Sequence, residues 1–297
     1  MDLETCAVRG WSIITSAGTN SALAGLLAGF VFTAVVIYFN QTGSQRGHEE
    51  VRTIALFTAS LMTLGLDSYL FSLVSGATPK ALGDESHFSE VCGRVWNQAI
   101  IASGMLTVGA AALVAGIASL FLSKELSIES EGKADLRKWL FRLVTAVLLG
   151  EIMLLGLAAV NYLEVAFNGN VDKRWTTAAW ACMLLAMYLT YRLARWKDRM
   201  EPGVVSQRWL TVPIGIMVSY LFICPVMVLT ASMIPLEWMT SPKGWITALF
   251  LVGGVAFPMA VVALIAGALP PRHGTGSEGG DSGETGSGSA ESPIAGH

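Results

Sequence analysis

Seven stretches of predominantly apolar residues, each long enough to cross a bilayer as a helix, separate the charged segments of this chain. About 20 such residues span a hydrocarbon layer roughly 30 Å thick. The stretches run over about Ser12 to Phe39, Thr53 to Gly76, Asn97 to Leu122, Trp139 to Ala166, Trp175 to Ala194, Trp209 to Pro235 and Gly244 to Leu269. None shows the strict alternation of a barrel strand. The expected fold is therefore an all-α integral membrane protein of about seven transmembrane helices, occupying residues 1–269. Composition excludes the alternative of a large soluble core: 14% of the residues are charged, against roughly 25% in soluble domains. The remaining residues, 270–297, are rich in Gly and Ser and poor in apolar side chains, which predicts a disordered tail.

The 19 Lys and Arg residues set the expected orientation. With seven spans, Arg9, Lys80, Arg94, Lys173, Arg174 and Lys243 fall on one side of the membrane. Arg46, Arg52, Lys124, Lys133, Arg137, Lys138, Arg142, Arg192, Arg195, Lys197, Arg199, Arg208 and Arg272 fall on the other. Basic residues flanking spans are retained in the cytoplasm. The N-terminus is therefore expected outside, the C-terminus inside, and the cell membrane is the expected location. Trp11, Trp96, Trp175, Trp238 and Trp245 then lie at outer ends and Trp139, Trp196 and Trp209 at inner ends, as interfacial belts require. The opening residues, with Asp2 and Glu4 ahead of Arg9, do not resemble a cleavable leader, so the first span is expected to stay as an anchor.

Cys6 and Cys92 share the outer side, which permits a disulfide between them; spacing alone does not show that the sulfurs meet. Cys182 and Cys224 fall within spans and read as small packing residues. Ser21, Gly25 and Gly29 recur every four residues in the first span, and Gly109, Ala112 and Gly116 form a similar stripe in the third. Such stripes let backbones approach closely, usually within one chain, although a Gly25/Gly29 face also suits oligomerisation.

Two carboxylates carry the functional expectation. Asp67 in the second span and Glu151 in the fourth lie at membrane depth, where an ionisable group is costly and by default marks function. Their positions along antiparallel-bundle helices of the same direction differ by only roughly 3 Å in depth. If those helices are neighbours, the two acids can face one cavity. Ser60 and Thr63 share the helical face of Asp67, and Tyr162 shares that of Glu151. Pro225 in the sixth span and Pro258 in the seventh are candidate kinks, leaving the carbonyls of Leu221 and Gly254 without their usual donors.

The four histidines, His48, His87, His273 and His297, all lie outside the spans, so no metal site and no cofactor are expected. The seventh span carries no lysine for a retinal Schiff base, and no phosphate loop, nucleophile elbow or HExxH motif occurs. The expected surroundings are the lipid bilayer and a small-molecule or ion substrate, with no nucleic acid. A proton- or cation-coupled carrier using Asp67 and Glu151 leads the functional expectations. A membrane-embedded enzyme acting on a lipid or isoprenoid is the second. A non-catalytic sensor or assembly partner, meeting anionic lipid or protein through its basic inner loops, is the third.

Overall fold

The computed structural model describes residues 6–8, 10–41, 48–77, 88–123, 130–167, 169–196, 208–235 and 244–268. The 270–297 tail and Trp238 lie outside them. Among the described residues, seven helices make up an all-α membrane protein: α1 (Ile13–Gln41), α2 (His48–Ser75), α3 (Phe88–Ser123), α4 (Ser130–Ala166), α5 (Lys173–Trp196), α6 (Arg208–Met233) and α7 (Gly244–Ala268). Six of them are long and apolar enough to cross a membrane. The exception is α5, which at 24 residues is long enough. Thr176, Thr177, Thr190, Arg192 and Arg195 dilute its apolar run.

Local chemistry sets the helix ends. The Ser12 hydroxyl accepts the Thr15 N–H at 3.3 Å to cap α1, and the Asp172 carboxylate accepts the Arg174 N–H at 3.1 Å to cap α5. Gly169, at φ +80°, closes α4 by donating its N–H to the Glu164 carbonyl at 2.8 Å. The carbonyl of Ile234, just past α6, accepts Nη2 of Arg94 at 3.1 Å, so a cation sits at the negative end of that helix.

The central helix is α3, the most buried of the spans, which packs on α1, α2, α4, α6 and α7. Missing side chains bring α2 close to it: a Cβ on Gly109 would meet Leu64 at 2.8 Å, and one on Gly116 would meet Phe57 at 3.0 Å. The Ser60 hydroxyl donates to the Gly109 carbonyl across this contact at 2.8 Å. On the other side of α2, Ser21 and Ser68 exchange hydroxyl-to-carbonyl bonds with α1 at 2.7 and 2.9 Å. Gly25 belongs to that seam, its Cβ position lying 3.2 Å from Oγ of Ser68, whereas Gly29 faces open space. Helix α5 lies at the periphery on α4 and α7.

A short hairpin, β1 (Ala7–Val8) with β2 (Trp11–Ser12), folds over one end of the bundle. A disulfide joins Cys6 to Cys92 of α3, their Cα atoms 5.2 Å apart. Trp96, expected in the lipid-boundary belt, is buried here instead. Its indole N–H donates to the Cys6 carbonyl at 3.1 Å and its ring meets Trp11 edge-on. Cys6 itself is held at φ +49°, a left-handed conformation that costs a non-glycine residue energy. Replacing both cysteines by serine is expected to lower stability by about 2 kcal/mol, the low end for such bonds, because a helical membrane protein keeps much of its structure on unfolding. Melting followed by circular dichroism, with and without reductant, checks this. An unchanged midpoint would mean that the hairpin is held by packing alone.

Candidate functional site

The approach of α2 to α3 at Gly109 carries Asp67, one turn beyond Leu64, into the bundle interior. Its side chain is 0% exposed, and neither Oδ1 nor Oδ2 has a hydrogen-bond partner. The hydroxyls that share its face are committed elsewhere: Ser60 donates to Gly109, and Thr63 donates to the Ala59 carbonyl of its own helix at 2.7 Å. On α6, which packs against α2, Tyr220 and Cys224 are buried in the neighbourhood of Asp67.

Tyr220 and Cys224 are one turn apart on the same face of α6. The Tyr220 hydroxyl donates to the Gly253 carbonyl of α7 at 3.0 Å. The ring of Tyr220 stacks on Phe257 with centroids 5.0 Å apart.

The Gly253 carbonyl is free to accept because α7 breaks its α-helical register. Pro258 has no N–H, and the helix responds with a π-turn over Val252–Ala256 between the α-helical segments Gly244–Leu251 and Phe257–Ala268. Phe257, whose N–H would serve Gly253 in an α-helix, bonds to the Val252 carbonyl instead. The sequence points to Gly254 as the carbonyl without a donor; the register shift releases Gly253 as well. The Gly254 carbonyl lies against Gly104 of α3, where a Cβ would stand 2.7 Å from Cγ of Pro258 and 2.8 Å from Oη of Tyr220. In turn, a Cβ on Gly254 would meet the Ile100 carbonyl at 2.8 Å. Four helices thus converge on Asp67, Tyr220, Cys224 and a broken turn of α7. Pro225, the other candidate kink, leaves the helix continuous over Arg208–Met233.

Glu151 stands apart from this cluster. It sits at the edge of the buried face of α4, between Leu148 and Leu155, with Oε2 buried and without a partner. Helices α2 and α4 both pack on α3 and make no extended contact with each other. Equal depth did not make the two acids neighbours.

Tyr162 lies farther along α4, beneath the hairpin, and its hydroxyl donates to Oδ1 of Asn97 at 2.6 Å, not to Glu151. Beside it is a cavity of about 10 Å³ bordered by Trp96, Asn97 and Ile246, enough for one water. Nearby on α7, Thr247 is buried with its hydroxyl unbonded.

The sequence singles out Asp67 as a candidate, reads Cys224 as a small packing residue, and gives no prominence to Tyr220 or Gly104. The available signal was the Tyr220/Cys224 spacing at mid-span, directly ahead of Pro225. Among the described residues, no group of three or more His, Cys, Asp or Glu is placed to hold a metal ion. Comparison of the chain with protein-family models, curated proteins and solved structures finds no match.

Proposed function

We propose that the chain is a proton-coupled carrier of the cell membrane, with Asp67 as the group that takes up and releases the proton. The observation that carries this reading is the isolation of Asp67: a fully enclosed carboxyl to which the fold gives no hydrogen bond. Buried polar groups in native proteins are nearly always bonded, so one left over calls for a role other than holding the bundle together. Its surroundings suit a coupled movement. Tyr220 links the cluster to the broken turn of α7, and discontinuous helices are the parts that carriers build their sites from and move. A proton fits better than a metal ion, because one carboxyl beside a tyrosine and a thiol falls short of the oxygen shell that hard cations require.

The proposed orientation places the hairpin outside and the C-terminus in the cytoplasm. It is supported by the six-to-thirteen division of Lys and Arg. The Cys6–Cys92 disulfide at the hairpin end adds to this, since such bonds persist on the oxidising side of a membrane.

The test uses purified protein in liposomes that enclose a pH-sensitive dye, challenged with a panel of small charged and amine solutes. Wild type is expected to move protons when one of these solutes is added, and Asp67→Asn to lose that movement. Equal movement in Asp67→Asn, or none in wild type with any solute, overturns the proposal.

A further inference from the structure

We propose that the exposed face of α5 at its Arg192–Arg195 end is a binding site for one anionic phospholipid, with the phosphate at the two guanidinium groups and the acyl chains along the apolar residues behind them. The proposal is independent of the carrier reading. Leu185, Tyr188, Arg192 and Arg195 follow one another at intervals of three and four residues, which places them on a single stripe of the helix. Leu184 and Tyr191 border it. The stripe points away from the bundle: Leu184 is 60% exposed and Tyr188 56%.

Topology explains why basic residues occur at this end, but not how they are held. The Arg192 guanidinium lies 5.8 Å from the Tyr188 ring centroid, and that of Arg195 lies 5.3 Å from the Tyr191 ring. Nη1 of Arg195 also donates to the Tyr191 hydroxyl at 2.7 Å. Among the described residues no carboxylate pairs with either arginine, and most of their N–H donors have no partner there. Two fixed forks of this kind match a phosphodiester, which accepts parallel N–H bonds. Arg94 shows the contrast, its guanidinium being turned inward to the Ile234 carbonyl.

Depth is consistent with the same ligand. Taken as the fifth of the seven spans in the proposed topology, the 24 residues of α5 extend about 36 Å, which carries the last turn out of a core of roughly 30 Å into the headgroup layer. From Arg192 back to Leu185 is about 10 Å along the axis. A phosphate at the arginines therefore continues naturally into chains lying over Leu184 and Leu185.

The experiment compares spin-labelled phosphatidylglycerol with spin-labelled phosphatidylcholine at trace levels in phosphatidylcholine vesicles holding the full-length protein. Wild type is expected to immobilise the anionic label preferentially. Arg192→Gln and Arg195→Gln should each lower that preference about fivefold. Their lysine counterparts, which keep the charge but lose the fork, should fall between. Arg142→Gln removes an exposed arginine from α4 and is expected to leave the preference unchanged. The proposal is overturned if Arg192→Gln/Arg195→Gln retains the wild-type preference, or if Arg142→Gln lowers it as much as either change on α5. Displacement of the labelled lipid by millimolar glycerol phosphate also overturns it, by showing that the bilayer-embedded part of the ligand is not required.

Discussion

Replacing Asp67 by leucine is expected to raise the melting temperature of the purified protein while ending solute-driven proton movement. Leucine branches at the same carbon as aspartate, so its two methyl groups follow the directions of Oδ1 and Oδ2, although they are bulkier and set on a tetrahedral rather than planar carbon. Both oxygens are buried and unbonded in the folded protein. An unsatisfied buried polar group costs about 1–3 kcal/mol, and its replacement by an apolar group of similar form recovers much of that. The expected gain is about 1–2 kcal/mol. Asp67→Asn is the informative companion, since it keeps two unbonded polar atoms and should melt close to wild type. Circular dichroism melting of the three proteins in detergent decides the matter. A leucine variant more stable than wild type means that the carboxyl is retained at a cost to the fold, as functional groups often are. If both variants melt well below wild type, Asp67 is a structural contact and the carrier proposal loses its main support.

The helices were legible because a membrane imposes a single length and polarity on everything that crosses it, and α1 to α4, α6 and α7 carry that signature plainly. What the sequence conveys is position along each helix, one coordinate out of three. Asp67 and Glu151 match in that coordinate, yet α3 packs against both of their helices while those helices make no extended contact. The same limit applies to Trp96. Its place at the end of a span resembles that of an interfacial tryptophan, but Cys6 and the β1–β2 hairpin cover it. Nothing in residues 6–12 announces that hairpin. The glycine stripe of α3 was visible through its regular spacing, and Gly109 and Gly116 do receive Leu64 and Phe57. Gly104 does not stand out in that way. Its need for an absent side chain arises from the π-turn of α7, about 150 residues later, and ultimately from Pro258.

Gly104→Val is accordingly expected to be the most damaging single substitution at the site. Even the Cβ of alanine would stand 2.7 Å from Cγ of Pro258 and 2.8 Å from Oη of Tyr220, with the Gly254 carbonyl oxygen nearer still. A flexible side chain can yield to such a contact; a proline ring and a backbone carbonyl cannot without moving α7. Overpacking of this kind costs typically about 1–3 kcal/mol, which places alanine inside the range and valine at its upper end or beyond. Gly215→Ala supplies the control. A Cβ there meets nothing within 4 Å, so helix propensity alone should stabilise it by about 0.5–1 kcal/mol. Cys224 provides a local readout, being a free buried thiol on the helix that contacts the displaced turn. In Gly104→Ala a membrane-permeant maleimide should label Cys224 faster than in wild type, and labelling in Gly215→Ala should be unchanged. Faster labelling with intact helical content would show that α7 parts from α3 at the π-turn before the bundle unfolds, which is the movement a carrier needs at Asp67. If Gly104→Ala melts and labels as wild type does, the contact yields freely, and the broken turn of α7 does not enclose the acid.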